Sequence, residues 1–311
     1  MKKAARWIAT VIVTFILLDW IFGQIFNLYV DRFGLKGDYE SIDYLLNSCE
    51  DNIVVLGSSV GLNDINTKQL QDSLGITSFN GGANAQTFPY FLTTLKALTS
   101  HQQKPEFVIL CMSPNNLTYS GIGERYKILA PYYNRDISDI DSCLQTHTPY
   151  EQLFLSSNSY RLNTIWFRIF LYNFITAGLT GENGFVAKPV PPAFPTKTDP
   201  ENLSAPIVPE RQNEINRFID ICQSNDIQLM IILTPQYINS DPAVAGQLLD
   251  ICNRKGIAFY NDILHPRFNS DSTMFYDNLH LNINGAEIYT LIIMERIKEI
   301  FLKNSDNHEA Q

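Results

Sequence analysis

A carboxylate, an imidazole and a hydroxyl stand out first, because together they can activate an oxygen nucleophile. Asp277 and His280 lie three residues apart in YDNLHLNINGAEIY, 276–289, just ahead of a helical pattern. On a turn, that spacing points both side chains to one side. The carboxylate then fixes the imidazole tautomer while the other ring nitrogen faces a hydroxyl. A serine without such help is a weak nucleophile at neutral pH. The candidate hydroxyls are Ser58 and Ser59 in GSSVG, 57–61, directly after an apolar run. This string is not G-x-S-x-G, and the plain alternative is that both serines cap a helix.

Two further strings carry donors. In FNGGANAQT, 79–87, adjacent Gly81 and Gly82 let a backbone N–H approach a substrate oxygen closely, and Asn80 and Asn84 can shape the loop or reach the substrate. In MSPNNL, 112–117, Asn115 or Asn116 can donate an amide N–H to an oxyanion, although Asn also forms turns routinely. Nothing near Asp277 and His280 completes a metal-ligand set. The five Cys, at 49, 111, 143, 222 and 252, form no C-x-x-C, and those in apolar patterns read as small buried hydrophobes.

The elements that must position these groups alternate. NIVVLG at 52–57 and FVILCM at 107–112 are short apolar runs of the kind a parallel strand needs when both its faces are buried. ITSFN (76–80), IQLMIILTP (227–235) and IAFYND (257–262) are the other predicted strands. Helices are predicted over 66–75, 89–100, 214–225, 244–256 and 284–303. Such alternation predicts βαβ units in a three-layer α/β/α sandwich around a mainly parallel sheet. Three of the four strings follow strands and the fourth opens the last helix, so all four are expected at one edge. Residues 119–210 interrupt the pattern and are expected to be an insertion that caps or lines that face. Its part from 184 to 210 carries seven prolines, which predicts a long loop. The last residues, 304–311, are expected to be disordered.

The 311 residues bury a single catalytic domain comfortably. With 23 Lys and Arg against 32 Asp and Glu, the chain carries a net charge of -9 and suits nucleic acid poorly. Residues 7–30 form an apolar stretch long enough for a membrane span, behind Lys2, Lys3 and Arg6. The positive-inside tendency keeps that basic end cytoplasmic and puts the remaining chain across the membrane, after a linker at 31–50. Asp19 interrupts the span and is expected to be protonated or paired with a partner's helix.

Taken together, the four strings resemble the SGNH, or GDSL-like, hydrolase superfamily over residues 50–118 and 210–303, which implies a flavodoxin-like α/β/α fold. The resemblance implies Ser59 of Gly57-Ser58-Ser59 as nucleophile, with Asp277 and His280 completing a triad. It also implies an oxyanion hole from the N–H groups of Ser59 and Gly82, with Gly81 the rival register, and from the Asn115 amide. Ser58 stands where the family has Asp, and Asn116 replaces the third block's Asp. The G-S-S string, the preceding membrane helix and the D-x-x-H-x-N-x-x-G ending are similar to DltD-like proteins and bacterial polysaccharide O-acyltransferases. Those relatives imply an acylated small molecule or cell-envelope polysaccharide as substrate, often beside a multi-pass membrane acyltransferase. They also imply a single-pass place in the cytoplasmic membrane, and no metal or other cofactor. The competing expectation is a non-catalytic envelope protein whose SGNH-like domain binds a glycan or a membrane partner.

Overall fold

The computed structural model describes the chain apart from residues 1, 122–125, 134–139, 141–143, 145–149, 164, 176–181, 200–202 and 310–311, and apart from the side chains of 126, 127, 175 and 303–309. Cys143 lies outside the described residues. The chain divides into two compact units, 1–43 with 126–179, and 44–125 with 180–311.

In chain order the first helices are α1 (Lys2–Phe33), α2 (Asp38–Asn47), α3 (Ser59–Asp64), α4 (Thr67–Leu74), α5 (Phe88–Ser100) and α6 (Asn115–Thr118). Then follow α7 (Glu151–Leu155), α8 (Asn158–Arg161), α9 (Ile165–Ile175) and α10 (Pro209–Ser224). The last are α11 (Val244–Lys255), α12 (Pro266–Asn269) and α13 (Ile283–Glu309).

Five strands build the second unit: β1 (Ile53–Gly57), β2 (Ser78–Asn80), β3 (Phe107–Met112), β4 (Gln228–Leu233) and β5 (Ala258–Asn261). They pair in the order β2-β1-β3-β4-β5, and every pairing is parallel. β1 and β3 are buried along their whole length, which is why both read as unbroken apolar runs. Ile53, Val55, Ile109, Cys111, Met230 and Ile232 pack with Leu70 of α4 and with Tyr289, Ile293 and Ile297 of α13. Strand alternation turns Val54, Leu56, Val108, Leu110 and Ile231 to the opposite face. The buried Phe91, Leu95 and Leu98 of α5 and Ile215, Phe218 and Ile219 of α10 serve that face. The result is the expected α/β fold, with a parallel sheet and flanking helices. The order of strands reverses between β1 and β3, and the crevice beyond their carboxyl ends is where open sheets of this kind hold ligands.

The element boundaries differ from expectation in instructive places. α10 begins at Pro209 rather than 214, because proline is well suited to the first helical turn. Residues 31–50 are more than a linker: α2 occupies 38–47, with Ile42, Leu45 and Leu46 buried. The helix of α13 runs to Glu309, with no Gly or Pro after Lys303 to stop it. The stretch 119–210, expected as one insertion, divides, since 126–179 belongs to the unit that contains α1. α1 itself is long and apolar enough to cross a membrane.

Candidate active site

Gly57 releases the chain from β1. Its φ is +154°, and a Cβ there would stand 2.1 Å from the carbonyl oxygen of Cys111 in β3, so only glycine passes at this point. Ser58 then takes extended backbone, φ -82° and ψ -159°, and α3 starts at Ser59. The Ser58 side chain makes no capping hydrogen bond; its residue lines the cleft beside Ser59 instead. Capping therefore does not explain the paired serines.

His280 arrives on a tight loop closed by an antiparallel bridge between Phe275 and Leu281. Inside the loop, one Asp277 oxygen accepts the backbone N–H groups of Leu279 and His280, both at 2.8 Å. Both carboxylate oxygens stand 2.9 Å from His280 Nδ1, and His280 Nε2 stands 2.7 Å from Ser59 Oγ. A carboxylate at Nδ1 places the proton there and leaves Nε2 to accept from the serine hydroxyl. The two strings, 221 residues apart, meet in one hydrogen-bonded line. Burial pushes the Asp277 carboxyl up, but the imidazole and the two backbone N–H groups outweigh it and hold the group below the usual carboxylate range.

Several groups hold the loop. The Leu281 N–H donates to Asp64 Oδ1, 3.0 Å away at the end of α3, so the helix that starts at Ser59 also grips the histidine's loop. Asn278 Nδ2 donates to the Thr196 carbonyl at 2.8 Å and to Thr198 Oγ1 at 2.7 Å, which ties the proline-rich loop to the same turn. Asn282 Oδ1 accepts from the N–H groups of Asn284 and Gly285 at the start of α13, and its Nδ2 donates to Thr273 and Phe275. A Cβ on Gly285 would stand 2.2 Å from the Met274 carbonyl oxygen. The D-x-x-H-x-N-x-x-G string is thus a hydrogen-bonded Asp–His pair followed by the cap and close contact that fix its exit.

The oxyanion expectation needs correction. The Gly82 N–H donates to Asn80 Oδ1 at 2.9 Å, and the Gly81 N–H donates to Val55 at 2.7 Å, so neither faces the cleft. These positions are glycine because of packing: added Cβ atoms would lie 2.4 Å from Leu62 N and 2.6 Å from Leu45 Cδ1. Asn80 is buried and shapes the loop, donating to Gly61 and Ile65. Asn84 contributes its carbonyl to a long contact, 3.5 Å, from Gln86 Nε2. The residue of this loop that does line the cleft is Ala85, in left-handed backbone at φ +56°, which a non-glycine residue adopts rarely. Among the described residues its N–H has no acceptor. Sequence reasoning missed it because a free backbone N–H leaves no mark on residue type.

Past β3, Asn115 and Asn116 separate in role. Asn116 is buried; its Oδ1 accepts from the Ser113 N–H at 2.9 Å, and its Nδ2 donates to the Gln86 carbonyl at 3.1 Å. That second bond requires a donor, so Asp could not replace Asn116 here. Asn115 is exposed in the cleft with its amide unpaired among the described residues. The cleft has a volume of about 460 Å³ and is lined by hydroxyl and amide side chains, including Gln86, Thr87, Thr118 and Tyr119, with no charged residue among those described.

No family model matches the chain, and no curated protein matches it. Solved structures do. A GDSL-like lipase from Bacteroides thetaiotaomicron is 11% identical, with 85% of this chain and 99% of that chain covered and a TM-score of 0.41. A proposed acylhydrolase from Bacteroides fragilis is 12% identical, with 82% and 89% covered and a TM-score of 0.41. Similarities this low leave the chemistry to be read from the site itself.

Proposed function

We propose that this chain is a serine-dependent acyl hydrolase or acyl transferase that works through a Ser59 acyl-enzyme. The observation that carries this reading is the line from Asp277 through His280 to Ser59, with hydrogen-bond distances of 2.9 and 2.7 Å. His280 Nε2 takes the hydroxyl proton as Ser59 Oγ attacks an ester carbonyl, and Asp277 stabilises the imidazolium that forms. The developing oxyanion meets the N–H groups of Ser59 and Ala85 and the amide of Asn115. Removal of one such donor typically costs about 3–4 kcal/mol of transition-state stabilisation. His280 returns the proton to the leaving alcohol, and water or a sugar hydroxyl then resolves the acyl-enzyme.

A cell-envelope glycan or a related acceptor is the proposed substrate. A cleft lined, among the described residues, mainly by uncharged hydroxyl and amide groups suits a neutral polyol, since each sugar hydroxyl needs a hydrogen-bond partner when it leaves water. Lys2, Lys3 and Arg6 in the first turns of α1 support the expected orientation, with the basic end in the cytoplasm and the unit that carries Ser59 outside the cytoplasmic membrane. A multi-pass membrane acyltransferase is the proposed partner if the reaction is transfer, because an acyl donor made inside the cell must cross the bilayer. The test is covalent labelling of Ser59 by a serine-directed phosphonate, followed by product analysis with an acylated substrate, with and without a saccharide acceptor. Ester turnover that survives Ser59→Ala would overturn the mechanism.

A further inference from the structure

Asp19 lies inside the apolar run of α1, yet the chain supplies its partners. Its carboxylate accepts from Ser157 Oγ at 2.8 Å and from the backbone N–H groups of Asn158 at 2.8 Å and Ser159 at 2.7 Å. Those are the unsatisfied donors at the start of α8. One turn further along α1, Gly23 makes room for Asn158, whose Cγ would be 2.5 Å from a Cβ there. α9 then follows α1 in the same direction. Trp166 meets Phe22 with ring centroids 6.4 Å apart, Phe170 meets Tyr29 at 6.1 Å, and Asn173 Nδ2 donates to the Tyr29 hydroxyl at 3.0 Å.

This packing covers Trp166 and Phe170 only in part, and they stay 43% and 40% exposed. Ile165 and Ile169 are buried, while Trp166, Phe167, Phe170 and Phe174 are exposed, Phe174 at 69%. Leu153 and Phe154 of α7 are exposed as well. α9 carries a single charge, Arg168, whose long stem lets the guanidinium reach an interface. In α1, only Gly23 and Phe26 are buried, so the two helices present one continuous apolar surface.

Depth follows from helix geometry. A hydrocarbon core of about 30 Å takes roughly 20 residues at about 1.5 Å each. With the basic residues Lys2, Lys3 and Arg6 holding the near face, a span that starts at Trp7 reaches Asp19 after about 18 Å. The carboxylate then lies about 12 Å short of the far face, and the helix start hydrogen-bonded to it must lie at the same depth.

We propose that α7, α8 and α9 form a second membrane element that does not span, entering the far leaflet beside α1 with the Trp166, Phe167, Phe170 and Phe174 side against lipid acyl chains. Lipid is the occupant because this surface continues the face of the spanning helix. Asp19 is then a structural clamp that satisfies the start of α8 where water is absent, rather than a contact awaiting a partner protein. This inference rests on the proposed membrane span at α1 and is independent of the chemistry at Ser59.

The test uses the purified full-length chain in phosphatidylcholine vesicles. The protein has three Trp, and Trp7→Phe with Trp20→Phe leaves Trp166 alone. The expected result is blue-shifted Trp166 emission that is quenched by bromines on the acyl chains and insensitive to aqueous iodide. A second variant, adding Trp166→Phe and Phe174→Trp, should behave alike. An unchanged far-UV circular dichroism spectrum and thermal transition check that both variants fold. Quenching by iodide without quenching by brominated lipid would overturn the proposal, because the face would then meet water. Insensitivity to both would overturn it as well, because the face would then be covered by protein.

Discussion

Asp277 and Asp19 each accept two backbone N–H groups, but Asp277 finds them within its own turn and Asp19 finds them on a helix 139 residues away. In the unit that carries Ser59 the Asp277 carboxylate holds a loop of five residues between bridge partners and still offers both oxygens to His280. In the other unit the Asp19 carboxylate closes the start of α8 onto α1 and, among the described residues, meets a hydroxyl and backbone N–H groups. The same interaction therefore serves two ends. Held locally, it aims an imidazole; held at long range, it joins two segments of a fold.

Substitutions should separate the two roles, and the largest effect is expected at Asp277. Asp277→Asn keeps an acceptor for the turn but loses the anion that fixes the Nδ1–H tautomer, so ester turnover should fall about 10⁴-fold with little change in Tm. If Asp277 only closed its turn, as Asp19 closes α8, turnover measured with an aryl ester would stay within a few-fold of wild type. Asn115→Ala comes next. Its exposed amide supports nothing in the resting fold, so kcat should drop about 10²–10³-fold while thermal stability is unchanged.

At Asp19 the prediction reverses. Asp19→Leu strands the Ser157 hydroxyl and two N–H groups, each costing about 1–3 kcal/mol if left unsatisfied. Amide hydrogen exchange at Asn158 and Ser159 should accelerate, with aryl-ester turnover unaltered. A loss of turnover of the size expected for Asp277→Asn would erase the distinction between the two carboxylates.

Asp64 supplies the smallest and most gradual effect. Burial raises its pKa well above the carboxylate range; the Leu281 N–H and Thr234 hydroxyl lower it, the Asp277 charge raises it, and Lys188 lowers it. The unfolded chain releases this proton near pH 4, about the ordinary Asp value, while the folded chain retains it. The resulting stability is fully present below that pH and is lost as pH rises toward the folded pKa, by at most about 1.4 kcal/mol per pH unit. Asp64→Asn keeps an acceptor for Leu281 and has no proton to release. Its Tm should therefore gain on wild type as pH is raised from about 4 to neutrality, and a constant offset across that range would contradict the assignment.

The parts of this molecule that can be read in sequence are those whose partners are near or uniform. β1 and β3 are legible because a strand buried on both faces needs apolar residues at every position. Asp277 and His280 are legible because their turn, cap and mutual hydrogen bond fall within four residues. The glycine pair at 81–82 misled for a physical reason: Leu62 and Leu45 demand glycine there, and packing demands look the same in sequence as demands from an oxyanion. Ala85 was invisible because its contribution is a backbone N–H and a left-handed φ. Asn278 and Asn282 required knowledge of which carbonyls would be nearby.

Residue order alone determined a parallel α/β domain, an apolar N-terminal helix and a short list of side chains able to move a proton. Tertiary structure alone decided that Ser59 meets His280 across 221 residues, that the Gly82 N–H turns to Asn80 within its own loop, and that Asp19 reaches Asn158 and Ser159. The division follows from range: propensity and periodicity act over a few residues, whereas a hydrogen bond between distant segments exists only after the core has set their separation.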